Sequence, residues 1–255
     1  QTFYHNDLSK ILKSNPRKFW EIINPQLARD IMLTNDKNED VSHTVCANIF
    51  NTVFSSVFTK EANVLFPLPL FTTLPVMAPV VLSVGGISSL IDKIKLSTSA
   101  GVDNINSKLL KNTKEIIAMY FLMMFSLSLE TGILPDDWKE GKVIPVHKSG
   151  NRQSPLNYRP ISLTSVPCKI MEHVIYSHIM HFLDTNFFHS SQHGSRKSLS
   201  CETQLSVFIH DLHSSLDRHF QTDAIFLHFA KAFDKVPHKC LLLKLSQLNL
   251  HPNIL

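Results

Sequence analysis

The chain has 255 residues, 44% of them apolar, which is enough for one large or two small cored domains. Its net charge of +4, from 25 Lys and Arg against 21 Asp and Glu, together with 14 histidines, gives a mildly basic surface able to meet nucleic-acid phosphates. Cys46, Cys168, Cys201 and Cys240 form no C-x-x-C pair and have no His at finger spacing, which excludes a structural zinc site. With no secretory signal, they read as reduced thiols of an intracellular protein.

In chain order, residues 7–25 predict a short amphipathic helix, a break at Pro16, and a second helix carrying Phe19, Trp20, Ile22 and Ile23. Val45, Ile49, Val53 and Val57 recur every four residues and predict a helix over 41–59. The prolines among residues 66–79 fit an extended linker, placing a domain boundary near residue 80. Ile87, Leu90, Ile91 and Ile94 predict a helix over 85–95, and STSAGVDNINSKLLK (97–111) a turn into another, capped by Asp103 or Asn104. Residues 114–129 are apolar nearly all round and predict a core helix. The most apolar run, 116–129, falls short of the roughly 20 residues that cross a bilayer and is interrupted by Ser126 and Ser128, so no membrane span is expected.

Beyond a break at Gly132 and Pro135, KVIPVH (142–147) and residues 158–163 predict a hairpin with a flexible, basic tip. Long helices are expected over 167–183, with Ile170, Val174, Ile175, Ile179 and Phe182 on one side, and over 200–219. Residues 224–229 (AIFLHF) predict a buried strand, and a last helix is expected around 240–248. His178 and His181 share a helical face at i, i+3, but no third ligand is apparent, so no metal pair is expected there.

Six phrases occur in order: NPRKFWEIINP (15–25), AGVDNINSKLLK (100–111), GILPDDWKEGKVIPVHKSG (132–150), NYRPISLTSVPCKIMEHVI (157–175), QHGSRKSLSCETQL (192–205) and AIFLHFAKAFDKVPH (224–238). Together they resemble the reverse transcriptase, an RNA-directed DNA polymerase, of non-LTR retrotransposons of the LINE and jockey-like kind. The resemblance runs from about residue 10 to the end. It implies an α+β fold, a partial right-hand polymerase with fingers and the start of the palm, preceded by a mainly helical connector. Residues 1–80 would be the connector, 81–220 the fingers region, and 221–255 the truncated start of the palm. The later palm box with its Asp pair, and the thumb, have no counterpart in these 255 residues.

The family's first palm phrase resembles F-x-D-F-x-K-A-F-D-x-V-x-H, and here His228 stands at the metal-binding Asp. Polymerases clamp the attacking and leaving oxygens with two divalent ions about 3.5–4 Å apart. Mg²⁺ prefers oxygen ligands in octahedral geometry, and an imidazole has one nitrogen lone pair and no negative charge to offer. No catalytic residue is therefore expected intact, and no Mg²⁺ bound productively. Asp234 reads as a helix cap or backbone partner, and Asp223, at an odd offset from His228, would face the other side of a strand.

The resemblance further implies that Lys148, Arg159 and Phe233 bind the incoming deoxynucleoside triphosphate, the two cations on its phosphates and the Phe against its sugar. Gln192, Gly194 and Arg196, in a phrase resembling Q-x-G-F-R-x-G, would meet the RNA template, with a DNA primer as the other partner. Ser195 and Ser198 depart from that pattern, where an aromatic and a Gly are expected. The expected function is thus a fragment of a retrotransposon reverse transcriptase, inactive as given. A non-catalytic RNA- or DNA-binding module and a non-functional mobile-element relic are the alternatives.

Overall fold

Short polar side chains set where most of the helices begin. Ser42, Ser83, Asn106, Ser165 and Ser200 each accept a backbone N–H from the following turn, satisfying a donor that the helix leaves unpaired. The computed structural model describes residues 10, 14, 15, 33, 41–61 and 74–255. The helices expected over 7–25 and much of the Pro-rich linker lie outside the described residues.

The chain divides into two compact units, one of residues 1–56 with 145–159, the other of 57–144 with 160–255. In the first, α1 (His43–Ser55) supplies Cys46 and Phe50 to a small core completed by Leu33 and Tyr158. The Phe50 and Tyr158 rings meet edge to face with centroids 4.9 Å apart.

The second unit is mainly helical, with α2 (Val84–Lys93), α3 (Ser107–Asn112), α4 (Lys114–Thr131), the single turn α5 (Asp136–Lys139), α6 (Val166–Asn186), α7 (Cys201–Asp217) and α8 (His238–Ser246). Its main core gathers Ile87 and Ile91 of α2, Leu110 of α3, Phe121 and Phe125 of α4, Trp138, and the first turns of α6. A second cluster draws the chain's end back onto residues 74–80: Met77 packs with Phe182, Leu183, Leu248 and Leu250. There the Met77 N–H donates to the Asn249 carbonyl (2.9 Å) and Asn249 Nδ2 to the Leu74 carbonyl (2.7 Å).

The one sheet among the described residues is the two-stranded hairpin of β1 (Lys142–His147) and β2 (Tyr158–Leu163), over the residues expected from the two short β-like runs. The fold is thus mixed helix with a small sheet. No helix among the described residues is long and apolar enough to cross a membrane.

Five expectations need correction. Residues 220–229 form no strand: Ile225, Leu227 and Phe229 are 83, 82 and 77% exposed, because among the described residues no neighbouring strand supplies the ladder that would hold them extended and buried. The side face assigned to Asp223 therefore does not exist, and Asp234 caps no helix, since α8 starts behind Pro237 without a side-chain cap. The cap of α3 is Asn106, not Asp103 or Asn104; Asp103 instead accepts from the Ile105 N–H in a turn (3.1 Å). Finally, α4 buries only one side, leaving Ile116, Met119, Tyr120, Met123 and Leu127 exposed.

Candidate nucleic-acid interface

The hairpin displays two of the sequence-predicted cations by simple alternation. The Lys148 N–H donates to the Asn157 carbonyl at 2.8 Å, extending the ladder one step past β1. His147 and Tyr158 lie ring against ring on one face, centroids 5.2 Å apart, with Tyr158 buried against α1. Since successive side chains of a strand point to opposite faces, Lys148 and Arg159 share the other face. Both are exposed, and neither is held by a carboxylate among the described residues.

The support beneath them is firm. The Tyr158 hydroxyl donates to the Arg152 carbonyl (2.9 Å), and burial pushes its pKa above the ordinary tyrosine value. Asn157 fixes the tip by donating to the Asn151 carbonyl (2.9 Å), and Gly150, at φ 81°, turns where a side chain would be strained. Lys148 and Arg159 belong to the first unit, and Phe233, 93% exposed in the turn after residue 229, to the second.

The other predicted set, Gln192, Gly194 and Arg196, lies on the loop joining α6 to α7. Arg196 is turned inward: its Nε donates to Asp184 Oδ1 (2.6 Å) and its Nη1 to the carbonyls of His189 (3.1 Å) and Gln192 (3.3 Å). Its guanidinium also lies over the Phe188 ring, 5.8 Å from the centroid. The loop is fastened at its far end by His193, which shares a 2.7 Å hydrogen bond with Thr203, itself half of the capping box of α7.

Gly194 has no atom within 4 Å of where a Cβ would sit and no positive φ, so the loop's own backbone does not demand glycine there. Ser195 and Ser198, by contrast, adopt φ of 61° and 63°. Ser198 thus occupies a left-handed position that a glycine would hold at no steric cost. Ser198→Gly is expected to stabilise the chain: relief of about 1–2 kcal/mol of left-handed strain exceeds the roughly 0.5–1 kcal/mol of extra unfolded-chain entropy. A thermal melt checks this, with a gain of about 1–3 °C expected for a chain of this size.

Between this loop and α7 runs a cavity of about 770 Å³ lined by Gly194, Ser195, Gln204, Leu205, Phe208 and Phe226. Phe208 and Phe226 meet edge to face at 6.0 Å, and the Phe226 side chain is 83% exposed. An aromatic pair beside polar groups offers a face on which a nucleobase can stack. Asp184, Phe188 and Phe208 escape the sequence reading, because Asp184 and Phe208 on their helices and Phe188 just beyond α6 look like ordinary surface and core residues.

His228 is exposed in the irregular stretch 220–229. Among the described residues no three His, Cys, Asp or Glu side chains converge as a metal site would require. His178 and His181 line a separate cavity of about 500 Å³ with Pro75, Met77 and Phe182, and His178 Nδ1 is already hydrogen-bonded to the Val174 carbonyl (2.8 Å).

Residues 146–255 match the reverse transcriptase (RNA-dependent DNA polymerase) family. Over 220 residues the chain is 28% identical to a probable RNA-directed DNA polymerase from transposon BS of Drosophila melanogaster, covering 83% of this chain and 24% of that protein. It is 27% identical over 164 residues to the RNA-directed DNA polymerase from mobile element jockey of the same species, covering 64% of this chain and 18% of that protein. A third fly relative, a probable RNA-directed DNA polymerase from transposon X-element, is 28% identical over 149 residues, covering 58% of this chain and 16% of that protein. The chain spans about a quarter or less of these relatives. The likeness to jockey-like reverse transcriptases read from the six phrases is thereby shown.

Proposed function

We propose that this relative of the jockey-like reverse transcriptases is a portion of an RNA-directed DNA polymerase that holds nucleic acid and nucleotide phosphates without performing the transfer itself. In this reading residues 1–80 are the connector, 81–220 the fingers region and 221–255 the start of the palm. Lys148, Arg159 and Phe233 serve the deoxynucleoside triphosphate, and Gln192, Gly194 and Arg196 form the loop that faces an RNA template paired to a DNA primer.

The observation that carries the reading is the shared, uncompensated face of Lys148 and Arg159 on a hairpin anchored by Tyr158, within the stretch that matches the family. An Arg fork and a mobile Lys ammonium side by side suit a polyphosphate, one gripping in the plane of two oxygens and the other following the charge.

Reverse transcriptases use divalent metal, and here the residues do not fit it. The position of the first metal carboxylate is His228, which carries no negative charge in either protonation state and has one lone pair when neutral. No step of phosphoryl transfer is therefore assigned to this chain.

The test has two arms. The purified chain, given a primed RNA template, deoxynucleoside triphosphates and Mg²⁺, is expected to add no nucleotide, and template-dependent extension would overturn the inactive reading. In fluorescence anisotropy, a labelled single-stranded RNA is expected to bind with log K falling linearly against log salt. Replacing both Lys148 and Arg159 by Ala should reduce that slope by about 1.4, at roughly 0.7 per phosphate contact. An unchanged slope would remove the hairpin from the interface.

A further inference from the structure

We infer that the loop between α6 and α7 divides its two adjacent cations between two tasks: Arg196 is a positioning residue locked by Asp184 of α6 and by the Phe188 ring just beyond that helix, and Lys197 is the loop's phosphate contact. This rests on the template reading above, which it refines.

A guanidinium grips a phosphate by one of two edges, one using Nε with Nη2 and the other Nη1 with Nη2. In Arg196 the Nε hydrogen goes to Asp184 at 2.6 Å, and Nη1 serves the carbonyls of His189 and Gln192 at 3.1 and 3.3 Å. Each edge has thus lost a member, and the side chain is only 14% exposed. The positive charge is already answered by the Asp184 carboxylate and spread over the Phe188 ring.

Those contacts have a clear structural purpose. Ser195 and Ser198, on either side of Arg196 and Lys197, both hold left-handed φ values that non-glycine residues leave unless the surroundings fix them. Arg196 ties the last turn of α6, through Asp184, to the backbone at His189 and Gln192, and so sets the path on which Gln192 and Gly194 are presented. Lys197, the next residue, is exposed and has neither a hydrogen bond nor an ion pair among the described residues. Its ammonium is the loop cation still able to release a counterion from nucleic acid.

The salt dependence of RNA binding separates a phosphate contact from a support. With a short fluorescein-labelled oligouridylate, Lys197→Gln is expected to reduce the slope of log K against log salt by about 0.7, with the melting temperature unchanged. Arg196→Gln and Asp184→Asn are expected to weaken binding several-fold at every salt concentration with the parent slope retained, while the amides of residues 187–198 exchange hydrogen faster. Arg196→Lys keeps the charge but not the fork, and fast exchange should persist.

The assignment is overturned if Arg196→Gln lowers the slope and Lys197→Gln does not. Should the parent chain bind no RNA, the template reading fails and Lys197 loses its task. The locking role of Arg196 is decided separately by amide exchange, and unchanged exchange in Arg196→Gln would refute it.

Discussion

Gly101→Ala is expected to leave the second unit largely unfolded. A Cβ at Gly101 would lie 2.5 Å from the Ser165 nitrogen, 2.6 Å from the Thr164 carbonyl carbon and 2.7 Å from the Ser165 Cα. All three are backbone atoms, so no side chain can swing aside. Relief requires moving the start of α6, where Ser165 is fully buried and its hydroxyl accepts the Cys168 N–H at 3.0 Å. Overpacking of this kind costs about 1–3 kcal/mol, and loss of a helix cap adds about 0.5–2 kcal/mol. A further 1–3 kcal/mol or so is lost if the buried hydroxyl is left unpaired.

Together these terms come to roughly 2.5–8 kcal/mol, which reaches the whole stability of a typical domain, about 5–15 kcal/mol. Urea unfolding followed by far-ultraviolet circular dichroism checks it, with Gly85→Ala as the control. Gly85 lies in α2 with nothing within 4 Å of its would-be Cβ, so Ala there should add about 0.5–1 kcal/mol. Equal stability of the two variants would show that the close approach at Gly101 does not constrain the fold.

The same position shows what a sequence does and does not disclose. AGVDNINSKLLK reads correctly as a turn entering a helix, because Asn and Asp next to an apolar run carry local capping chemistry. That Gly101 is pressed against residues 164–165 is a contact across more than sixty positions, and nothing local encodes it. Periodicity served well where it was one-sided: α2, α6 and α7 lie within a few residues of their expected bounds, and the short β-like runs at 142–147 and 158–163 are both strands.

It failed where burial is decided elsewhere. Apolar residues all round α4 implied full burial, yet packing against α2 and Trp138 covers one side, and Met119, Met123 and Leu127 remain outside. Residues 224–229 carry strong strand propensity, but a strand is defined by its partner, and a run without one is neither paired nor buried. For the candidate site the limit is finer. The sequence names Arg196 as a cation of the template loop, but an irregular loop has no period from which to read that Arg196 points in and Lys197 out.

Phe125→Ala is the second substitution expected to have a large effect, about 3–5 kcal/mol of stability. Phe125 is fully buried, stacked on Phe121 at 5.3 Å and edge to face with Trp138 at 5.7 Å. Its removal leaves a cavity lined by rings from α4 and the α5 turn, and stiff aromatic neighbours close such a space poorly. Cys168 reports the result. It packs in the same core, with its pKa pushed up to about 12 by burial first and the Glu172 carboxylate second, so the native thiol should resist alkylation near neutral pH. In the variant, Cys168 should label at a rate set by opening of the core, while exposed Cys201 labels alike in both proteins. The outcome bears on the candidate interface through α6: its first turns carry Cys168 and Met171 of this core, and its last turn carries Asp184, which holds Arg196. A softened core should therefore speed amide exchange in the loop 187–198 before the chain unfolds. If Cys168 stays protected and the loop unchanged in Phe125→Ala, the core and the loop are independent, and α6 does not transmit order between them.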